Sequence, residues 1–447
     1  MRIKILRSLS LLAIGLTVLP PISSAATGIA PEALARMATS ENSAEAGAAL
    51  AELRTFGPRG LDVLFESYAG RIEHYLAQPA SSRASKGEWT RLTAALDAVS
   101  RQRDSYASHL YWYTDFEQAK AASRASGKPI LSLRLLGNLD EEFSCANSRF
   151  FRAVLYANQQ VSALLRERFI LHWKSVRPAP RVTIDFGYGR KIESTVTGNS
   201  IHYILDTEGR PIDAIPGLYG PKAFLTALMQ AESAFTSSAT LTGAAREASL
   251  RRYHKGRMKA IGDQLEADQS RAAVRLNQKA LVAESDNNPG PPTAKQAAPV
   301  AITKSVVERK TLRLIGDGPA APPRPSTEAD LSAWEKIAAL HSGDATLDAA
   351  SIALIRSQYP SVDYDNAAIS RIVQNLERYI AVDTVRNEYV LHNTLHRWLA
   401  DEWMTKDLDS LNEQVYARLF LTPRSDPWLG LAPPNTYSGI VNNGIKK

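Results

Sequence analysis

The chain has 447 residues, 44% of them hydrophobic and 22% charged, enough apolar surface for two or three folded units and unlike a disordered or fibrous polymer. Its formal charge of +7 falls to +4 once Arg2, Lys4 and Arg7 are removed; so small an excess, spread along the chain, argues against a nucleic-acid partner. With only one cysteine, Cys145, no internal disulfide can form.

The N-terminus reads as a signal peptide over residues 1–25. Arg2, Lys4 and Arg7 precede an apolar run, Leu9 to Leu19, too short to span a bilayer, and Ser23, Ser24, Ala25 and Ala26 supply small residues for cleavage. The expected product is an exported protein, periplasmic or extracellular, with no membrane span in the mature chain. Residues 26–105 read as a helical lead-in. Leu50, Leu53, Leu61 and Leu64 recur at helical spacing around Gly57-Pro58, and Trp89, Leu92, Leu96 and Val99 share one face of a second segment. His74 stands alone on a charged face.

Residues 106–236 read as an α/β unit. After an Ala-rich helix from Asp115, Pro129 to Leu136 is a short apolar run with the character of a buried strand. Cys145 follows at the turn into helical segments marked by Phe150, Val154, Val161 and Leu165, and these lead to a strand, Phe169 to Trp173. Val182–Phe186 and Ile192–Val196 flank Gly187-Tyr188-Gly189 as a hairpin, and Ile201–Leu205 is a further strand. A cysteine at a helix start meets unpaired N–H groups and the positive end of the helix dipole, which favour thiolate. Asp140, Glu141 and Glu142 oppose that effect if they face the sulfur. His172 ends one strand with Trp173 and His202 follows Ser200 in the next, and neither spacing demands a Cys–His pair.

These residues resemble the thioredoxin superfamily, specifically its bacterial extracytoplasmic domains. The resemblance rests on Gly127-Lys128-Pro129-Ile130, the cysteine at a helix start, the helix bearing Val161, Leu164, Leu165 and Phe169, and Ile201 to Gly209 followed by Gly217 to Leu225. It covers about a quarter of the chain. It implies that Cys145 occupies the nucleophilic position and that Ser148 replaces the second cysteine, so dithiol reductase activity is not expected. It also implies that Asn199 and Ser200 occupy the position where the family uses a cis-proline to hold a substrate backbone. Two functions follow as expectations. One is a monothiol factor, with Cys145 and Ser148 as its catalytic pair, that forms mixed disulfides with an exported protein or peptide. The other is a non-catalytic protein- or peptide-binding scaffold with a degenerate thioredoxin fold.

Beyond the α/β unit, residues 237–285 read as a long charged helix with a partial apolar stripe of Leu250, Tyr253, Met258, Ile261 and Leu265, solvated on its other faces and bridging domains. Residues 286–327, rich in proline, read as a linker enclosing one short ordered segment, 306–315. Residues 328–447 read as a separate, mainly α C-terminal domain that ends in a proline-broken strap. Within it Glu388, His392 and His396 fall at i, i+4 and i+8, one helical face, which makes them a weak metal candidate; no third strong ligand is identifiable nearby, so no metal is expected. There is no Gly-x-Ser-x-Gly, phosphate loop or dinucleotide fingerprint, and no cofactor is expected. Oligomeric state is not legible.

Overall fold

The structure, a computed structural model, describes residues 28–79, 82–83, 86–277, 294–315, 328–359, 365–401, 407–431 and 439–446. The residues read as a signal peptide and much of the proline-rich stretch lie outside these. The first helices are α1 (Pro31–Ala38), α2 (Ser43–Thr55), α3 (Pro58–Leu76) and α4 (Gly87–Ser100). Asn42 caps α2 by accepting from the backbone N–H groups of Ala44 and Glu45. Leu53, Leu61, Leu64, Leu92, Leu96 and Val99 close a core of their own. The helical lead-in therefore has the form its leucine spacing predicts.

The α/β layer begins with α5 (Phe116–Ser126), followed by β1 (Ile130–Leu136), buried along its whole length. The chain then turns at Cys145 into α6 (Ala146–Phe150), which widens into a π-helical turn, Phe151–Tyr156, before α7 (Gln159–Arg168) and β2 (Ile170–Arg177). β3 (Arg181–Asp185) and β4 (Lys191–Thr195) form a separate antiparallel hairpin, paired from Arg181↔Thr195 to Asp185↔Lys191. β5 (Ile201–Leu205), β6 (Pro211–Pro216) and α8 (Pro221–Ser238) complete the layer. The strand order is β2-β1-β5-β6, with β1 parallel to β2 and the other pairs antiparallel. The parallel pair needs the helical crossover that α6 and α7 supply.

Helices then wrap the sheet: α9 (Gly243–Arg271), α10 (Ile302–Ile315), α11 (Glu328–Leu340), α12 (Ala349–Ser357) and α13 (Asn366–Arg386). α13 runs through a π-helical turn, Asn387–His392, into α14 (Asn393–Asp401), and α15 (Leu408–Gln414) ends in another, Val415–Leu419. The helices expected to stand apart beyond the linker instead share one apolar core with the sheet, continuous from Leu110 to Leu429. The reason is visible at the joins. Thr384 accepts from the backbone of Gly220 at 2.8 Å, Asn387 donates to the carbonyl of Leu218 at 2.8 Å, and Arg177 donates to the carbonyls of Thr422 and Asp426.

Two further expectations change. Inside the proline-rich stretch, α10 begins at Ile302, and buried Thr303, Lys304 and Glu308 hold it against the body of the protein. Asp383 caps it from α13, accepting from the N–H groups of Ile302 at 2.5 Å and Thr303 at 2.8 Å, two donors a helix start leaves unpaired. α9, read as solvated, buries Arg246, Leu250, His254, Ile261 and Asp268. Its polar members are paired inside, Arg246 with Asp206 for example at 2.8 Å. Among the described residues no helix is long and apolar enough to cross a membrane.

Candidate functional site

Cys145 sits where its sequence context puts it, as the N-cap of α6, with its own N–H on the carbonyl of Leu136 at 3.0 Å. Its side chain is completely buried. Sγ lies 3.0 Å from Ser200 Oγ and donates to Ser148 Oγ at 3.5 Å, while Ser148 Oγ donates to the carbonyl of Cys145 at 2.8 Å. The fold therefore brings together Cys145, Ser148 and Ser200. Asn199 joins them: its side-chain oxygen accepts from Asn147 and from the N–H of Ser200.

What the sequence alone does not reveal is the cover. Tyr416, in the last π-helical turn, is buried, within electrostatic reach of the cysteine, and donates its phenol to the carbonyl of Asn199 at 2.8 Å. The main-chain carbonyl of Asn199 is thus engaged by the protein's own C-terminal segment. That segment is fastened on the other side by Lys174 to Asp409 at 2.9 Å and by Tyr203 to Asn412 at 3.2 Å. On the opposite flank Glu308 of α10 accepts from the N–H of Thr197 at 3.1 Å. Gly198, at φ +89°, lets the intervening backbone press in; a Cβ there would lie 3.2 Å from that of Cys145 and 3.0 Å from Leu136 Cδ2.

The acids near the cysteine point away from it. Asp140, Glu141 and Glu142 pair with Arg101, Arg181 and Arg103. No imidazole joins the sulfur either. His172 meets Ser132 at 2.8 Å and His202 meets Tyr156 at 2.7 Å, and burial first of all pushes both imidazoles down to about 3, so they are neutral.

A second constellation assembles around the helical trio Glu388, His392 and His396. His392 Nδ1 lies 2.9 Å from Glu388 Oε2, and its Nε2 lies 3.1 Å from Asp213 Oδ1 on β6. His396 Nδ1 is 3.6 Å from the same oxygen and 3.0 Å from Nδ1 of His254 on α9. Tyr253 donates to Asp213 Oδ2 at 2.5 Å, and Arg257 donates to Glu388 Oε1 at 2.6 Å. Burial works against ionising any of these groups, and their mutual charges decide the outcome. Burial would raise Asp213 and Glu388, but the charge of His392 between them holds both below the usual carboxylate range. Burial would lower His392, but Asp213 and Glu388 raise it to about 9, so it is a cation between two anions. Burial lowers His254 to about 4, and burial with the neighbouring His392 charge takes His396 well below its ordinary value; both are neutral.

Arg257 and Glu388 also form one wall of a cavity of about 330 Å³, whose other walls include Tyr219, His341, Asp344 and Tyr389. Two of these wall residues meet buried Asp268, His341 at 2.5 Å and Tyr389 through its phenol. Sequence reasoning missed Asp213, His254, Arg257 and Asp268. A signal existed for three of them: Leu250, His254, Arg257, Ile261, Gln264 and Asp268 alternate at spacings of four and three, a coiled-coil-like seam on which polar residues replace apolar ones. Asp213, alone in an apolar strand, carries no such mark.

No protein-family model matches the chain, and comparison with curated proteins and with solved structures finds no significant match.

Proposed function

We propose that this is an exported, thioredoxin-like scaffold that binds a protein or peptide and does not exchange disulfides. The thioredoxin-like reading is supported by the order β2-β1-β5-β6, with its single parallel pair around a helical crossover and with the cysteine at the crossover helix. The non-catalytic reading rests on one observation: the sulfur is fully buried, held between Ser148 and Ser200, with Tyr416 occupying the adjacent main-chain acceptor. A thiol must reach its partner's sulfur to attack it, and a low-pKa nucleophile works from a partly exposed, electropositive setting. Here the hydroxyl cluster and the cover give Cys145 the role of a small packed residue. Partner binding then falls to surfaces that remain open, foremost the cavity lined by α8, α9 and α13 with its paired charges and aromatic walls.

Thiol labelling tests this. In the native, exported chain Cys145 reacts with a maleimide far more slowly than in the chain unfolded in guanidinium, at every pH below the free-thiol value of about 8.5. Native labelling as fast as unfolded labelling, or a mixed disulfide formed with a small disulfide reagent under native conditions, restores the monothiol function and removes this one.

A further inference from the structure

We propose that Asp213, His254 and His396 hold one divalent transition-metal ion of the zinc class, in a buried site assembled from β6, α9 and α14. The inference is independent of the role of Cys145. Their ligand atoms all lie within 4.8 Å of one another. Ligands bonded at about 2.0–2.1 Å in tetrahedral geometry stand roughly 3.4 Å apart. The observed edges, 3.0 Å between His254 Nδ1 and His396 Nδ1 and 3.6 Å between His396 Nδ1 and Asp213 Oδ1, bracket that spacing.

The chemistry of the donors agrees. Two imidazoles turn nitrogen toward nitrogen at 3.0 Å, an arrangement in which a single proton is all that can link them, whereas a cation would take a lone pair from each. Two nitrogens and one carboxylate oxygen suit zinc and its first-row neighbours better than calcium or magnesium, which prefer all-oxygen shells. The groups around Asp213 are arranged as a ligating carboxylate requires. His392 and Tyr253 bond to the two oxygens of Asp213 and fix the carboxylate, Glu388 orients His392, and Arg257 anchors Glu388.

A second observation points the same way. Asp213, His254 and His396 are all almost wholly enclosed. Such groups are expensive to bury, and packed apolar side chains would hold the same helices together at lower cost. A bound cation supplies the missing stabilisation. The cavity walled by Arg257 and Glu388 borders this outer shell.

The test is a cobalt(II) titration of the full exported chain after chelator treatment, followed by visible absorption and by metal analysis after dialysis. The proposal expects one cobalt per chain with the intense absorption of a four-coordinate ion, displaced by zinc. His254→Gln and His396→Gln abolish this band, and Glu388→Gln weakens binding by about 10- to 100-fold. Circular dichroism checks that each variant is folded, and if His396→Gln is not, the wild-type titration and His254→Gln decide alone. A folded wild-type chain that retains no cobalt or zinc overturns the proposal. So does a weak octahedral spectrum at more than one equivalent, or a folded His254→Gln that binds as the wild type does.

Discussion

Tyr416→Phe isolates the contact that covers the cysteine. The substitution keeps the ring, which is buried against Phe420 at 5.2 Å between centroids, and removes only the phenolic donor to the Asn199 carbonyl. A buried carbonyl stripped of its partner costs about 1–3 kcal/mol. If Cys145 reacts only when the segment from Leu408 to Leu429 lifts away, that cost enters the opening equilibrium directly, and labelling of the native chain speeds up by about 5- to 150-fold. The assay is the pseudo-first-order rate of maleimide addition at fixed pH, read by mass spectrometry. Tyr68→Phe is the control. Its hydroxyl lies 2.7 Å from that of Thr39 in the helical lead-in, far along the chain from the cover, and its removal leaves the rate unchanged. A Tyr416→Phe rate equal to wild type, in a protein whose urea midpoint has fallen, would refute the reasoning, because the sulfur would then be reached by a route that does not pass Tyr416.

Three other outcomes are expected. His392 has a folded-state value of about 9 against about 6.5 unfolded, so in the metal-free chain its charge contributes about 3 kcal/mol below pH 6.5, a contribution lost as pH rises through 9. Urea melts of chelator-treated protein should therefore show stability falling between pH 7 and 10, a fall that His392→Gln flattens; parallel profiles for the two proteins would contradict the assignment of that charge. Gly198→Ala adds a Cβ in contact range of Cys145 and Leu136 at a left-handed backbone, at a cost of about 1–3 kcal/mol seen as a lower melting temperature. Asp383→Ala removes the acceptor for two N–H groups at the start of α10 and destabilises by about 1–2 kcal/mol, with hydrogen exchange rising at the start of that helix; unchanged exchange there would show that Asp383 is not what anchors it.

Much of the local structure follows from the amino-acid order. Apolar spacing locates the lead-in helices, and the short run at Ile130–Leu136 has only one fate, a strand buried throughout. The turn glycines on either side of Tyr188 mark the β3–β4 hairpin, and the residues around Cys145 place it at a helix start. Position i, i+4, i+8 puts Glu388, His392 and His396 on one face whether or not the helix widens there. Each of these depends on neighbours a few positions apart, and the chain's own periodicity carries that information.

Tertiary packing alone decides what those elements meet. Cys145 stands at a helix start yet has the exposure of a core residue, with Tyr416, some 270 positions later, settled on Asn199 beside it. His392 becomes a buried cation, and His396 a neutral base beside it, because β6 and α9 deliver Asp213 and His254 from 179 and 142 positions away. Charge state and accessibility are set by desolvation and by the nearest opposing charges, quantities that fall off over a few ångströms of space and bear no fixed relation to distance along the chain. That is why spacing reveals the helix faces, while the environment of the sulfur and the composition of the polar cluster belong to the fold.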